Sequence, residues 1–253
     1  MSDPFESSRR KIARAKEHID NLTREIRIFV DGNPYVQVVE DDPNRPGYTF
    51  HKIKLTKTLP ASIEDIAGDA ITNLRAALDH ACFGVAVAAG TPDPKNAYFP
   101  FAGDVKRLEA AIKGRCKDIP EEIYPLFRNF KPYEGGNDLL WTLNLLCTAD
   151  KHKIITPMGT GVVQPGVNLK GTGFFELPTP PVWDRAKQEM VIITLGPEAN
   201  YDYHLQFILF VAFDKVGAAS GKAVRGLLWQ TLWHVEHIVA AIEAESKRLG
   251  IVR

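Results

Sequence analysis

The stretch Ser62 to Ala89, SIEDIAGDAITNLRAALDHACFGVAVAA, decides the fold. Ile63, Ala67, Ala70, Ile71, Leu74, Leu78, Ala81 and Val85 recur three or four residues apart, the period of a helix with a single apolar stripe. Ser62 stands where an N-cap belongs, and Asp65 brings negative charge to the first turn. The many small residues let a neighbouring helix approach closely. Such a helix needs partners, and the rest of the chain supplies them.

Upstream, residues 8 to 30 form a second amphipathic pattern through Ile12, Ala15, Ile19, Leu22, Ile26 and Phe29, ended by Asp31-Gly-Asn-Pro. Two runs rich in β-branched and aromatic residues follow, Tyr35 to Val39 and Tyr48 to Leu55. The loop between them, Asp-Asp-Pro-Asn-Arg-Pro-Gly, marks an antiparallel hairpin. Downstream of Gly90-Thr-Pro-Asp-Pro come Tyr98-Phe-Pro-Phe and short helical patterns near 105–112 and 121–127. A further helix runs from Asp138, behind Asn137, to about Lys153. Residues 154–213 alternate Gly- and Pro-rich turns with β-like runs at Phe174-Phe175, Met190 to Leu195 and Leu205 to Phe213. The final helix spans Gly221 to Leu249, with Val224, Leu228, Thr231, Val235, Ile238 and Ile242 in line.

The expected architecture is therefore a single α+β domain over residues 1–253. It is mainly a helical bundle whose long N- and C-terminal helices pack with an antiparallel β-sheet. The motif-bearing helical part covers about 60–155, the sheet-forming part about 154–213 and the last helix 221–249.

With 45% hydrophobic residues the chain can build a substantial core, and 31 acidic against 31 basic residues exclude a global field for polyanions. Met1 to Arg10 is too polar for a secretory signal, and no run of about 18 uncharged apolar residues exists, so a cytoplasmic protein without a membrane span is expected. Cys82, Cys116 and Cys147 form no CxxC pair, which argues against a structural zinc or disulfide framework.

Two polar clusters ride on these apolar helices: Asn73-Leu-Arg75-Ala-Ala-Leu-Asp79-His80, and Asn144-Leu-Leu-Cys-Thr-Ala-Asp150-Lys151-His152-Lys153. At about 100° per residue, Arg75 and His80 lie about 140° apart, on opposite shoulders of the stripe. Asn73 shares the shoulder of His80. Arg75 and Asp79 share the other and can form an i,i+4 ion pair. Leu139, Leu143 and Leu146 define a stripe that Asp150 prolongs, so this carboxylate needs a partner, which Arg75 or His80 could supply. Lys151, His152 and Lys153 suit a helix C-terminus.

Other signals are weaker. His234-Val-Glu236-His237 lacks the i,i+4 histidine pair of a metalloprotease helix, and Gly159-Thr-Gly161 and Gly171-Thr-Gly173 lack the strand-to-helix setting of a phosphate loop, so both read as turns. Trp229 and Trp233 lack the basic stripe of a nucleic-acid platform.

The Asn73 to His80 string, followed by Tyr98-Phe-Pro-Phe and Leu143 to Lys153, resembles a widespread set of uncharacterised bacterial proteins with an LRxALDH helix, an FPI-type segment and a DKH helix end. Arg75 to His80 is also similar to the R-x4-6-H pattern of the HEPN superfamily, helical proteins that often dimerise and include metal-independent ribonucleases. Ala76 follows the arginine where catalytic members carry a polar residue.

The resemblance implies a homodimeric endoribonuclease or RNA-binding relative, without cofactor or metal. His80 would be the general base or acid and Arg75 the charge stabiliser, with Asp79 beside them. Asn73, Asn144, Asp150, Lys151 and His152 would support the site. Read from the residues alone, the same groups fit two further expectations. One is a noncatalytic scaffold or ligand-binding protein with an Arg/Asp/His network. The other is a metal-dependent hydrolase using Asp79, His80, Asp150 and His152.

Overall fold

A computed structural model describes residues 3–152, 157–178, 182–184, 186–213 and 217–252, with the backbone alone described at 149–152, 157–169 and 203–209. The architecture is α+β, as expected. Among the described residues, six α-helices and seven strands alternate in blocks: α1 (Glu6–Asp31), β1 (Tyr35–Asp41), β2 (Thr49–Leu55), α2 (Ala61–Ala88), α3 (Val105–Arg115), α4 (Tyr124–Phe130), α5 (Asp138–His152), β3 (Pro157–Thr172), β4 (Phe175–Glu176), β5 (Trp183–Asp184), β6 (Glu189–Leu195), β7 (Asn200–Phe213) and α6 (Val224–Arg248).

The chain divides into two compact units. The first comprises Met1–Thr23, Ser62–Pro157 and Phe213–Arg253, and the second Arg24–Ala61 and Met158–Ala212. The first unit is helical. Its core is built from the stripes the periodicity defines: Ile12, Ala15, Ile19 and Leu22 of α1, Ile63 through Val85 of α2, and Val224, Leu228, Val235, Ile238 and Ile242 of α6 are all buried. Helix ends follow local chemistry. Asp104 caps α3 by accepting the Arg107 N–H, and Asn137 caps α5 by accepting the Leu140 N–H at 3.2 Å. Lys131 closes α4 in the left-handed region at φ 51°. Helix α2 begins at Ala61, one residue before the expected cap.

The second unit holds the sheet. β1 and β2 form the expected antiparallel hairpin, with Tyr35 opposite Leu55, and β2 pairs in turn with β6. β4 and β5 add to the other edge of β6, also antiparallel, so the early hairpin and the late strands share one five-stranded sheet. Ile53, Met190 and Ile192 form its apolar cluster. The buried Lys52 ammonium lies 2.9 Å from Glu189 and 2.6 Å from Glu40. Burial opposes its charge, but the two carboxylates outweigh that penalty and raise its pKa.

β7 does not join this sheet. It pairs with β3, a 16-residue strand running through Gly159, Gly161 and Gly171, which the sequence reading takes as turns. Four glycines and two prolines make β3 a poor strand by propensity, so its pairing with β7 decides its conformation. Glycine is needed at 171, where a Cβ would overlap the Asn200 carbonyl oxygen.

Candidate functional site

Helix α2 carries Asn73, Arg75, Asp79 and His80 into two separate environments within the helical unit. On one shoulder, Arg75 Nη1 comes within 2.6 Å of Asp79 Oδ2, the i,i+4 pair the spacing predicts. The contact is an ion pair by distance, but the N–H bonds of Nη1 are not aligned on the oxygen and make no hydrogen bond. These side chains are only 13% and 26% exposed, so the pair is no ordinary surface salt bridge.

Arg75 is also stacked. Its guanidinium carbon lies 4.4 Å from the centroid of the Phe101 ring. The other Asp79 oxygen, Oδ1, accepts the Phe99 N–H at 2.9 Å. Together the two side chains clamp Tyr98-Phe-Pro-Phe to α2. Phe99 is fully buried, 5.0 Å from Phe101 and 5.8 Å from Phe127 between ring centroids. The Tyr98 N–H donates to Arg115 O and the Ala102 N–H to Pro132 O, which tie the segment to the far side.

On the opposite shoulder, α1 meets α2. His80 Nδ1 is 2.7 Å from the Ser7 hydroxyl oxygen, and Lys11 Nζ is 3.4 Å from Asn73 Oδ1. Asn73 also donates to Asp69 O at 2.8 Å. Burial lowers the His80 pKa, the nearby Lys11 charge adds to that, and Asp79 opposes both. The imidazole is therefore held neutral at physiological pH.

His80 and Ser7 line an open cleft of about 690 Å³. Ala76, Phe83 and Val87 of α2 form one wall, and Tyr98 and Ala97 another. Phe83, Val87 and Tyr98 remain 46%, 41% and 49% exposed, so large apolar side chains face the opening. Glu6 and Arg10 of α1 also line the cleft. Gly84 brings the N-terminal segment against α2, since a Cβ there would overlap the Pro4 carbonyl oxygen.

The structure thus brings Arg75 and Asp79 together and sets Asn73 and His80 apart from Arg75, while Asp79 also lines the cleft beside His80. Asn144 lies on α5, where its carbonyl accepts the Thr148 hydroxyl at 2.8 Å. The side chains of Asp150, Lys151 and His152 on the last turn of α5, and all of Lys153, lie outside the described residues. Ser7, Arg10 and Lys11 escape a sequence reading, because no spacing links them to a helix some 70 residues away. Phe101 is visible only as part of the Tyr98-Phe-Pro-Phe motif.

Elsewhere, the Asn137 side-chain N–H group faces His234 Nε2 at 2.7 Å, and His237 Nδ1 faces the Trp233 carbonyl at 2.7 Å. Among the described residues, no three His, Cys, Asp or Glu side chains converge as a metal site. All three cysteines are buried and free. Burial pushes Cys116 up to about 12 and Cys82 well above the ordinary thiol value, so neither is a nucleophile at neutral pH.

No family model matches the chain, and no match was found among curated proteins or solved structures.

Proposed function

We propose that the helical unit is a binding module for a small ligand, apolar over most of its surface and carrying one polar group, held in the His80 cleft. The observation that carries this reading is the cleft itself: about 690 Å³, walled by exposed Phe83, Val87 and Tyr98, with a neutral imidazole and a serine hydroxyl side by side in its lining. That volume lies in the range of small-molecule sites, and the apolar walls carry polar groups that converge on the same space. Arg75 acts at one remove, by fixing together with Asp79 the segment that presents Tyr98, and Asp79 itself also lines the cleft.

A second reading, a metal-independent endoribonuclease, is favoured by the neutral His80, a suitable general base for a 2′-hydroxyl. In that reading Arg10 would hold the phosphate, because Arg75 is turned onto Phe101 and Asp79. Arg10 lines the cleft and makes no ion pair among the described residues. Against it, Asp3, Glu6 and Asp79 place three carboxylates in the lining beside that one guanidinium.

One experiment separates the two. Wild type, His80→Ala and the cleft-filling Ala76→Trp are screened against a fragment library by saturation-transfer NMR and assayed on mixed RNA with and without EDTA. Fragments that bind wild type and lose binding in Ala76→Trp support the binding module. RNA cleavage that survives EDTA and disappears in His80→Ala supports the ribonuclease, and neither signal refutes both.

A further inference from the structure

Away from the cleft, α1 and α6 form a second groove, of about 400 Å³, on the surface of the helical unit. Helix α1 contributes Arg9, Ala13 and Lys16, and α6 contributes Glu236, Ala240 and Glu243. Both triplets are spaced four and then three residues apart, so each lies along one face of its helix. Arg9 is paired with Glu243 at 2.7 Å, and from there the groove runs forward along α1 to Lys16 and backward along α6 to Glu236, so the helices are antiparallel. One rim is basic, the other is acidic, and exposed alanines lie between. Ile12 and Val239 form an apolar base, 8% and 3% exposed.

The two ends of the groove differ. Arg9 is held by Glu243 and Asp3, and Glu243 by Arg9 and Lys247, whereas Lys16 and Glu236 make no hydrogen bond or ion pair with any described residue. An opposite pair of charges therefore stands unpartnered at one end of a groove with small residues along its middle.

We propose that this face docks a second copy of the chain about a two-fold axis parallel to α1 and α6. The charge pattern selects that axis. A two-fold perpendicular to the helices, within the interface plane, would lay α1 on α1 and α6 on α6, basic on basic and acidic on acidic. The parallel axis lays α1 on α6 of the other copy and preserves position along the groove. Lys16 then meets Glu236 of the second copy, twice over by symmetry, while the Arg9–Glu243 pair made within each copy faces its counterpart at the other end of the groove. Each helix in the resulting four-helix arrangement runs antiparallel to its neighbours, the favourable alignment of their dipoles. Ala13 and Ala240 permit the close approach. A basic or an acidic helix from another protein would complement one rim and be repelled by the other, whereas a second copy complements both.

The test is sedimentation equilibrium of wild type, Lys16→Glu, Glu236→Lys and the double variant, with thermal melts to confirm folding. Both positions are exposed and unpaired among the described residues, so the folds should persist. The expected result is a wild-type dimer that weakens with added salt, a dissociation constant raised about tenfold or more in each single variant, and recovery in the double variant, where the charges are exchanged. Ala13→Trp, which fills the groove without altering charge, should also weaken the dimer. A monomeric wild type, or a dimer indifferent to both charge reversals and to Ala13→Trp, overturns the proposal.

Discussion

Replacing Asp79 by Ala removes the one carboxylate that holds both Arg75 and the Phe99 amide. Breaking a fully buried ion pair costs about 3–5 kcal/mol and an exposed one about 0.2–1 kcal/mol. With Arg75 13% and Asp79 26% exposed, solvent screening brings the charge contribution to about 2 kcal/mol. The Phe99 N–H, left without an acceptor in a segment whose side chain is fully buried, adds about 1 kcal/mol at the lower end of the range for such groups. The sum, about 3 kcal/mol, corresponds to a melting temperature lower by about 6–12 °C for a unit of this size. Asp79→Asn keeps an acceptor for Phe99 and loses the charge, so it should fall between wild type and Asp79→Ala. Because two compact units need not unfold together, calorimetry is best paired with amide hydrogen exchange, in which Phe99 should lose protection in Asp79→Ala and retain most of it in Asp79→Asn. A melting temperature within about 2 °C of wild type, together with an unchanged Phe99 amide, would refute the clamp.

Three further outcomes follow from particular contacts. The His80 pKa is lowered by burial and by Lys11, so the unfolded chain binds the proton more tightly than the folded one. Stability should therefore fall as pH drops below the unfolded imidazole value of about 6.5, and melts of wild type and His80→Gln between about pH 7.5 and 5.5 should show a shallower acid loss in the variant. An equal loss in both would remove His80 from the acid response. Gly84→Ala forces a methyl into the Pro4 carbonyl oxygen and should destabilise by about 1–3 kcal/mol in urea titrations, with the N-terminal segment displaced from α2. Wild-type stability in this variant would mean that the contact is absent in solution. Ser8, fully buried, donates its hydroxyl to Ala77 O at 2.7 Å, and Ser8→Ala should cost about 1 kcal/mol, read as a lower urea midpoint at unchanged slope.

Much of the helical framework is legible in the sequence because helix period and burial are the same information. The stripes Ile12 to Leu22, Ile63 to Val85 and Val224 to Ile242 are the ones that the core buries, and Asn137 is recognisable as a cap by residue type alone. The hairpin of β1 and β2 is equally local, a turn-rich loop between two β-branched runs. β3 is not, because its glycines and prolines argue locally for turns and only pairing with β7 makes it a strand. The candidate site divides in the same way. The Arg75–Asp79 pair follows from i,i+4 spacing, yet its burial beneath Phe101 does not, and neither does the meeting of His80 with Ser7.

By itself, then, the sequence determined the elements whose signals repeat within a few residues: helix stripes, caps, the first hairpin, and the angular separation of Arg75 from His80 along α2. Tertiary structure alone decided which groups face each other across large separations in the chain. It placed Ser7 and Arg10 in the His80 cleft, turned Arg75 away onto Phe101, and set the basic edge of α1 beside the acidic edge of α6. The physical reason is that periodicity encodes which face of an element is buried but not what is buried against it. Partners are selected by packing the whole core, where shape and the satisfaction of buried polar groups act together.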